Sequence, residues 1–109
     1  MYLLTGATGF IGRHVAKALL ARGDRMVIPL RVAPQNLALG QSGYCRYHVI
    51  GDINKQTNWQ PALKDVRSVV HCAAYAHLSN ALDVMAPYRD VNVDGTLRLA
   101  EQAASSGVQ

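Results

Sequence analysis

The sequence predicts an α/β fold, a doubly wound parallel sheet with helices on both faces. Short apolar segments of β type alternate along the chain with longer segments of helical periodicity. The β segments are continuously apolar, as is typical of strands buried on both faces of a parallel sheet. Right-handed crossovers between such strands favour the strand order 3-2-1-4 for the four strands present.

The four predicted strands are short and apolar, and they lie at residues 2–4, 26–30, 46–50 and 67–72. Two of them end at glycines, Gly6 and Gly51, which favour a turn. Pro29 lacks a backbone donor and therefore weakens the second strand. The fourth strand is the most regular, since its centre is a pair of β-branched valines.

Helical periodicity predicts three helices, at residues 10–21, 59–64 and 87–106. The predicted buried stripes are Ile11, Val15, Ala18 and Leu19 on the first and Val93, Leu97, Ala100 and Ala104 on the last. Gly107 is expected to cap the last helix. Residues 32–45 have little periodicity and are interpreted as a loop, with one helical turn around Leu37.

Composition limits the class of protein. The chain has 109 residues, of which 50% are hydrophobic and 17% charged, as in an ordinary globular domain. No apolar run approaches the roughly 18 residues of a membrane span, and the N-terminus lacks the basic start of a signal peptide. Cys45 and Cys72 show no C-x-x-C spacing, so we expect reduced thiols and a cytoplasmic protein.

The net charge of +4 is unevenly distributed along the chain. Residues 1–50 hold six Lys and Arg residues and a single acid, Asp24. These basic residues are scattered among apolar ones rather than clustered, which argues against nucleic acid as a partner. An anionic small ligand fits the same charge.

The strongest motif is Thr5-Gly-Ala-Thr-Gly-Phe-Ile-Gly12, which follows the first strand and opens the first helix. Gly6 permits a tight turn, Gly9 lets the backbone approach a pyrophosphate, and Gly12 lets the helix pack against the sheet. The helix N-terminus adds free N–H groups and the positive end of its dipole. The spacing G-x-x-G-x-x-G differs from the G-x-G-x-x-G fingerprint. Because a strand precedes it and a helix follows, the motif favours dinucleotide binding over a plain turn.

Three further motifs follow in order: Gly51-Asp52-Ile53, His71-Cys72-Ala73-Ala74 and Asn92-Val93-Asp94-Gly95-Thr96-Leu97. Together with the glycine loop they resemble the extended short-chain dehydrogenase/reductase family, the NAD-dependent epimerases, dehydratases and reductases of sugar nucleotides. The resemblance covers almost the whole chain and implies a Rossmann fold. Residues 71–77 and 88–104 most resemble bacterial members that epimerise or reduce UDP-sugars at C4 in surface polysaccharide biosynthesis.

The resemblance implies a set of cofactor-binding residues: Gly6, Thr8, Gly9, Phe10, Ile11, Gly12, Arg31, Asp52, Ile53, Cys72, Ala73, Ala74, Ala76 and Asn92. In the family, the residue at Asp52 accepts from the adenine amino group, and Ile53 packs near the ring. The small residues after the fourth strand line the phosphates and ribose. The residue at Asn92 bonds the cofactor or nearby backbone, while Gly95 permits close packing.

Each of these residues also has a plainer interpretation. Asp52 is a common residue in a turn after a strand, and Asn92 can be a helix-surface amide. Cys72 is typical of a small buried filler rather than a reactive thiol. His71 is interpreted as a satisfied core histidine, whereas His77 lies in a loop that can face a substrate. No His, Cys, Asp and Glu spacing predicts a metal site.

Arg31 bears on the choice between NAD and NADP. NAD-binding members carry an acid at the end of the second strand, where this sequence has Leu30-Arg31. Arg31 is able to pair with a 2′-phosphate or to stack on adenine, although a solvated loop arginine is the alternative. The sequence therefore favours NADP over NAD.

The residues that carry out catalysis in the family are absent from these 109 residues. Its members use a Tyr-x-x-x-Lys pair, in which the tyrosine acts as general acid and base, and a Ser or Thr after the fifth strand. No tyrosine of this sequence has a lysine four residues later. We therefore interpret residues 1–109 as the N-terminal part of a dinucleotide-binding domain, inactive alone, without the catalytic helix and substrate domain. The alternative is a non-catalytic dinucleotide-binding or sensing module.

The fourth predicted strand also has a consequence for assembly. In the family this strand lies inside the sheet, beside a fifth strand. Without that neighbour its apolar edge is open to pairing with another chain. We therefore expect the 109-residue chain to self-associate as a homo-oligomer, with a dinucleotide and, in the full-length protein, a nucleotide sugar as its ligands and no membrane partner.

Overall fold

The computed structural model describes residues 1–34, 43–76 and 85–109. The strands are β1 (Tyr2–Thr5), β2 (Met26–Leu30), β3 (Cys45–Val49) and β4 (Ser68–His71). The helices are α1 (Phe10–Ala21), the single turn α2 (Met85–Tyr88) and α3 (Thr96–Ser105), with a π-helical segment (Arg89–Gly95) joining the last two. The predictions for Leu37 and His77 lie outside the described residues.

The sheet confirms the predicted fold class. Its four strands are parallel and have the order β3-β2-β1-β4. Thr5 is in register with His71, so the carboxyl ends of β1 and β4 lie side by side in the sheet. Pro29 lies beyond the last pair of β1 with β2, at Leu3 and Val27, so its missing donor breaks no bond between those strands.

Two apolar clusters cover the two faces of the sheet, as a doubly wound fold requires. Alternate residues of β1 enter different clusters because successive strand side chains point to opposite faces. Leu3 packs with the fully buried Trp59 and with Leu99 of α3. Leu4 packs with Leu19 of α1.

The predicted stripe of α1 is wrong for two of its four residues. Leu19 is buried and Val15 is half-buried, but Ile11 is 67% exposed and Ala18 is also exposed. The helix instead turns Gly12 toward the protein. The absence of a side chain at Gly12 lets the helix approach the glycine loop closely.

The predicted stripe of α3 and the segment before it is wrong throughout, because Val93, Leu97, Ala100 and Ala104 are all exposed. The buried face carries Leu99, Gln102 and Ala103. Gln102 is polar, yet it is buried because its amide donates to the Thr57 carbonyl at 3.0 Å and accepts from Trp59 N at 2.6 Å. A hydrogen-bonded amide thus occupies a position that hydrophobic patterning assigns to solvent.

The helix predicted at residues 59–64 is also wrong, since the chain makes only turns there. Leu63 N donates to Trp59 O at 3.0 Å, and the turn stops before Asp65, whose φ is +63°. The predicted helix at 87–106 exists but begins at residue 85 and contains the π segment. Its predicted cap is correct: Gly107 has φ +76°, and Val108 N donates to Ala103 O at 3.0 Å.

The edge of the sheet at β4 bears on self-association. Among the described strands β4 pairs only with β1, and Gln109 N donates to Arg67 O at 3.0 Å just before β4 begins. Self-association through this edge stays a prediction. Within the described part of the chain, no helix combines the length and apolar character needed to cross a membrane.

Candidate functional site

The glycine loop joins β1 to α1 at the centre of the sheet. Gly6 has φ +68°, and Gly9 N donates back to Gly6 O at 2.9 Å, which closes a tight turn. Gly9 is the N-cap of α1 and has no side chain with which to cap it. The first N–H groups of α1 therefore lack a capping side chain and face the loop region, which is the arrangement that binds anions at helix N-termini.

Two glycines of the loop occupy positions where a side chain does not fit. A Cβ on Gly6 would lie 2.7 Å from Ala73 N and 2.7 Å from the Cys72 carbonyl carbon, both backbone atoms of the segment after β4. A Cβ on Gly12 would overlap the carbonyl oxygen of Gly6. Gly12 therefore brings α1 against the glycine loop itself, and Gly6 brings the loop against the end of β4.

The other predicted residues of the loop lie at the surface. Thr8 is exposed in the turn, and Phe10 and Ile11 are exposed at the start of α1. The guanidinium carbon of Arg13 lies 5.1 Å from the centroid of the Phe10 ring. These side chains border the loop and are not among those that line the cleft described next.

A cleft of about 450 Å³ opens beside the carboxyl ends of the strands. It is lined by Arg31, Asp52, Ile53, Asn54, Ala73, Ala74, Tyr75, Pro87, Asp90 and Val91. Five of the predicted cofactor residues are thus brought together, from three separate parts of the chain. A second hollow of about 160 Å³ includes Thr5 and Gly6 and shares Arg31, Ile53 and Ala73 with the cleft. Crevices at this place in open α/β sheets are where ligands bind.

Arg31 and Asp52 face each other at the cleft. The Arg31 Nε lies 3.8 Å from the Asp52 Oδ1, and the two side chains are 78% and 75% exposed. An exposed pair at this distance contributes little to stability. Both charges therefore remain available to a bound ligand.

The π segment contacts both walls of the cleft. The Asn92 side chain accepts from Tyr75 N at 2.8 Å and donates to Tyr75 O at 3.0 Å. A Cβ on Gly95 would lie 2.6 Å from Cγ2 of Ile53 on the other wall. The resemblance implies that Asn92 bonds either the cofactor or nearby backbone. In the structure its side chain bonds the backbone of Tyr75.

The two remaining predicted residues lie near the end of β4. Cys72 packs against the cluster of Leu4 and Leu19, and its N–H donates to Thr5. Ala76 is exposed and is not among the residues lining the cleft. The described ranges contain no group of three or more His, Cys, Asp or Glu residues that could hold a metal ion.

Sequence reasoning missed several residues that line the cleft: Asn54, Tyr75, Pro87, Asp90 and Val91. Three of them lie in α2 and the π segment. A signal for this segment exists, because Asn92 and Gly95 are both poor helix formers. Irregular helical geometry of the π type is frequent at functional sites.

These features define the chain as an α/β protein with a glycine-rich loop between β1 and α1, at the switch point of its parallel sheet. The model of the NAD dependent epimerase/dehydratase family matches residues 2–109. The chain belongs to this family.

Relatives and solved structures share both sequence and fold with the chain. It is 38% identical over 109 residues to a UDP-glucose 4-epimerase of Vibrio cholerae, covering 98% of the chain and 32% of that protein. It is 31% identical over 116 residues to a UDP-glucose 4-epimerase of Klebsiella pneumoniae, and this match covers 98% of the chain and 82% of that protein. The structure of MoeE5 in complex with UDP-glucose and NAD superposes with a TM-score of 0.78 at 31% identity. This match covers 98% of the chain and 33% of MoeE5. The chain thus spans about a third of the Vibrio protein and of MoeE5.

Proposed function

We propose that this chain is the dinucleotide-binding, N-terminal part of an NAD(P)-dependent enzyme that acts on nucleotide sugars. The observation that carries the proposal is the fit between Gly6 and the segment after β4, since Gly6 has a left-handed φ and no room for a Cβ. Such a turn, followed by a helix N-terminus without a capping side chain, suits a pyrophosphate.

Residues that line the cleft fit the other parts of a dinucleotide. Asp52 and Ile53 lie at the wall of the cleft, where a carboxylate is able to accept from an adenine amino group and an aliphatic side chain to pack on its ring. Ala73 and Ala74 leave space at the end of β4, and the cleft volume is within the range of about 300–1,000 Å³ typical of ligand sites. When bound, the nicotinamide supplies the hydride acceptor or donor.

Within the family we favour a UDP-sugar substrate and epimerisation or reduction at C4, in polysaccharide biosynthesis. Two relatives are named UDP-glucose 4-epimerases, and MoeE5 was solved with UDP-glucose. We place the protein in the cytosol, in keeping with its free thiols at Cys45 and Cys72.

A binding and turnover experiment on the 109-residue chain tests this proposal. We expect NAD(H) or NADPH to bind weakly in calorimetry, because the chain contains both the glycine loop and the cleft proposed to hold adenine. We expect no epimerisation or hydride transfer with UDP-glucose, because no Tyr-x-x-x-Lys pair occurs in the chain. Absence of any dinucleotide binding would contradict the cofactor part, and turnover would contradict the proposed inactivity.

The alternative function is a non-catalytic dinucleotide-binding module. A module of that kind would keep the glycine loop and need no Tyr-x-x-x-Lys pair. Sequencing the gene beyond the codon for Gln109 separates the two. A Tyr-x-x-x-Lys pair downstream supports the enzyme, whereas a stop codon directly after Gln109 supports the module.

The Arg31 side chain makes cofactor preference testable. We propose NADP as the preferred cofactor, because the Arg31 guanidinium lies at the cleft beside Asp52, the proposed adenine contact, and can form charge-assisted bonds to a 2′-phosphate. Arg31→Ala is expected to lower the ratio of NADPH to NADH affinity by about tenfold, the value of one such bond.

The matched control for this experiment is Arg67→Ala, which removes an arginine outside the residues lining the cleft. That variant is expected to leave the affinity ratio unchanged. The preference for NADP is wrong if NADH binds the wild-type chain more tightly than NADPH and Arg31→Ala does not move the ratio.

A further inference from the structure

A chain of hydrogen bonds connects the end of β1, the segment after β4 and the π segment through the ring of His71. The ring lies at the last residue of β4, half-buried between two threonines. Its Nδ1 is 2.6 Å from Thr5 Oγ1, and its Nε2 is 3.1 Å from Thr96 Oγ1. Neither threonine belongs to the residues proposed to hold a cofactor.

The donors and acceptors at Thr5 determine the state of the ring. Thr5 Oγ1 accepts from Cys72 N at 3.1 Å and from Ala73 N at 3.1 Å. A hydroxyl oxygen has two acceptor positions, and these two N–H groups occupy both, with the Cys72 N–H shared with the Thr5 carbonyl oxygen at 3.3 Å. The hydroxyl proton of the fully buried Thr5 is then directed to Nδ1 of His71, so Nδ1 is an acceptor without a proton.

The other side of the ring fits the same assignment. Thr96 Oγ1 donates its proton to Asn92 O at 2.8 Å, so it accepts from His71 Nε2–H. Asn92 in turn holds both main-chain groups of Tyr75. When the ring is neutral and carries its proton on Nε2, every donor and acceptor in this chain of hydrogen bonds has a partner. The segment from Cys72 to Tyr75 is then held at both ends.

We propose that His71 is a positioning residue for the cofactor cleft, which holds the backbone from Cys72 to Tyr75 in its binding conformation only while the ring is neutral. A proton on Nδ1 would place a third N–H donor against Thr5 Oγ1, whose two acceptor positions are filled. The Cys72 or Ala73 N–H would have to give way, and these residues pack directly on Gly6. The inference rests on the proposed function in one respect: it assumes that this cleft binds the dinucleotide.

The surroundings of the ring favour its neutral form. Burial lowers the pKa of His71 below its ordinary value of 6.5. On the described parts of β1, β4 and the segment after it, the π segment and α3, the ionisable residues besides His71 are Tyr2, Cys72, Tyr75, Arg89, Asp90, Asp94, Arg98 and Glu101. None of them is among the ring's hydrogen-bond partners, which are the two threonines.

The direction of the pH effect follows from this lowered pKa. Below about pH 6.5 the unfolded chain takes up a proton at this histidine before the folded chain does, so folding loses stability as the pH falls toward the lowered pKa. Above about pH 6.5 both forms are neutral and the full stability is present. Ligand affinity changes in the same direction, because only the neutral fraction is competent to bind.

The test measures NAD+ binding to the protein at about pH 7.5 and about pH 5, a range in which a histidine changes its charge. NAD+ is the probe because its pyrophosphate stays ionised throughout. Wild-type affinity is expected to be lower at about pH 5 than at about pH 7.5, in proportion to the neutral fraction of His71. His71→Asn keeps an acceptor toward Thr5 without a titrating ring. Its affinity for NAD+ is therefore expected to match that of the wild type at the higher pH and to change less between the two pH values.

Two further variants separate positioning from general damage. His71→Leu leaves the Thr5 hydroxyl without its acceptor and is expected to weaken binding about tenfold at both pH values. His48→Asn makes the same substitution at a histidine of β3, and it is expected to retain the wild-type pH dependence. The cleft carboxylates Asp52 and Asp90 are unchanged in all these proteins, so the variants differ only at the substituted histidine. A pH dependence unchanged in His71→Asn would overturn the proposal.

A measurement without ligand keeps this inference separate from the proposed function. In the free protein, nitrogen-15 NMR is expected to find the His71 proton on Nε2, and exchange protection of the Cys72 and Ala73 amides to fall as the ring titrates. His71→Asn is expected to keep that protection at low pH. If NAD+ does not bind but these signals appear, the cofactor assignment fails and the positioning role stands. A ring protonated on Nδ1, or amides insensitive to its titration, would overturn the positioning role alone.

Discussion

Gly6→Ala is expected to abolish measurable dinucleotide binding and to lower the free energy of unfolding by about 3 kcal/mol or more, the sum of a left-handed backbone penalty and an overpacking penalty. The first penalty arises because φ is +68°. The second arises because the new Cβ would lie 2.7 Å from Ala73 N and from the Cys72 carbonyl carbon. Backbone atoms cannot move aside as a flexible side chain does, so the glycine loop and the end of β4 must separate. Calorimetric titration and urea unfolding measure the two effects.

Gly23→Ala is the matched control for this substitution. Gly23 has nearly the same backbone conformation, with φ +76°, but an added Cβ meets nothing within 4 Å. It should therefore show the backbone penalty alone, about 1 kcal/mol, with cofactor affinity unchanged. The difference between the two variants isolates the contact of Gly6 with Ala73. Equal destabilisation by both would contradict the close fit on which the proposed function depends.

The sheet was predictable because each strand carries its own signal. The strand predicted at residues 67–72, for example, is β-branched and apolar at its centre, Val69-Val70, and that pattern depends on neighbours in sequence alone. The order 3-2-1-4 then follows from the handedness of crossovers, which is a general property of L-amino acid chains. The glycine loop was predictable for a similar reason, since its place between a strand and a helix can be recognised in the sequence.

The helix faces were not predictable in the same way. Periodicity shows that Val93 and Leu97 share one side, but it does not show which side another element covers. Leu97 is 58% exposed, whereas the polar Gln102 is buried, because Thr57 and Trp59 supply partners for its amide. Those partners lie more than 40 positions away in the chain. Burial of a polar side chain depends on such distant groups, which local patterning does not contain.

The geometry of the candidate site depends on the same kind of distant contact. Thr5 and His71 are hydrogen-bonded across 66 positions of sequence, and Asn92 reaches Tyr75 across 17. The sequence marks Asn92 and Gly95 as misplaced in a regular helix, but it does not specify a π-helical geometry. In the structure this segment binds Tyr75 on one wall of the cleft and packs on Ile53 of the other. Its irregularity therefore sets the relative position of the two walls.

Gly12→Ala is expected to reverse the usual effect of this substitution in a helix. Replacing glycine by alanine inside a helix ordinarily stabilises it by about 1 kcal/mol. Here the new Cβ would overlap the Gly6 carbonyl oxygen and lie 2.6 Å from its carbonyl carbon, so α1 must shift away from the loop. We expect a loss of about 2–3 kcal/mol in the free energy of unfolding, a typical cost of overpacking. Because the N–H groups of α1 move with it, dinucleotide affinity is expected to fall at least about tenfold, the equivalent of one hydrogen bond.

Gly95→Ala provides a graded comparison, since its Cβ would meet a side-chain atom first, Cγ2 of Ile53 at 2.6 Å. Ile53 is able to shift where the Gly6 carbonyl is not, so the stability loss should be about 1 kcal/mol, at the low end of overpacking costs. The shift would narrow the cleft at the wall proposed to hold adenine. Affinity for free ADP is therefore expected to fall in parallel with affinity for NAD+. Gly12→Ala should weaken both ligands more strongly than Gly95→Ala, because both carry the pyrophosphate. If Gly12→Ala instead stabilised the protein, α1 would not lie against the glycine loop and the proposed phosphate site would be lost.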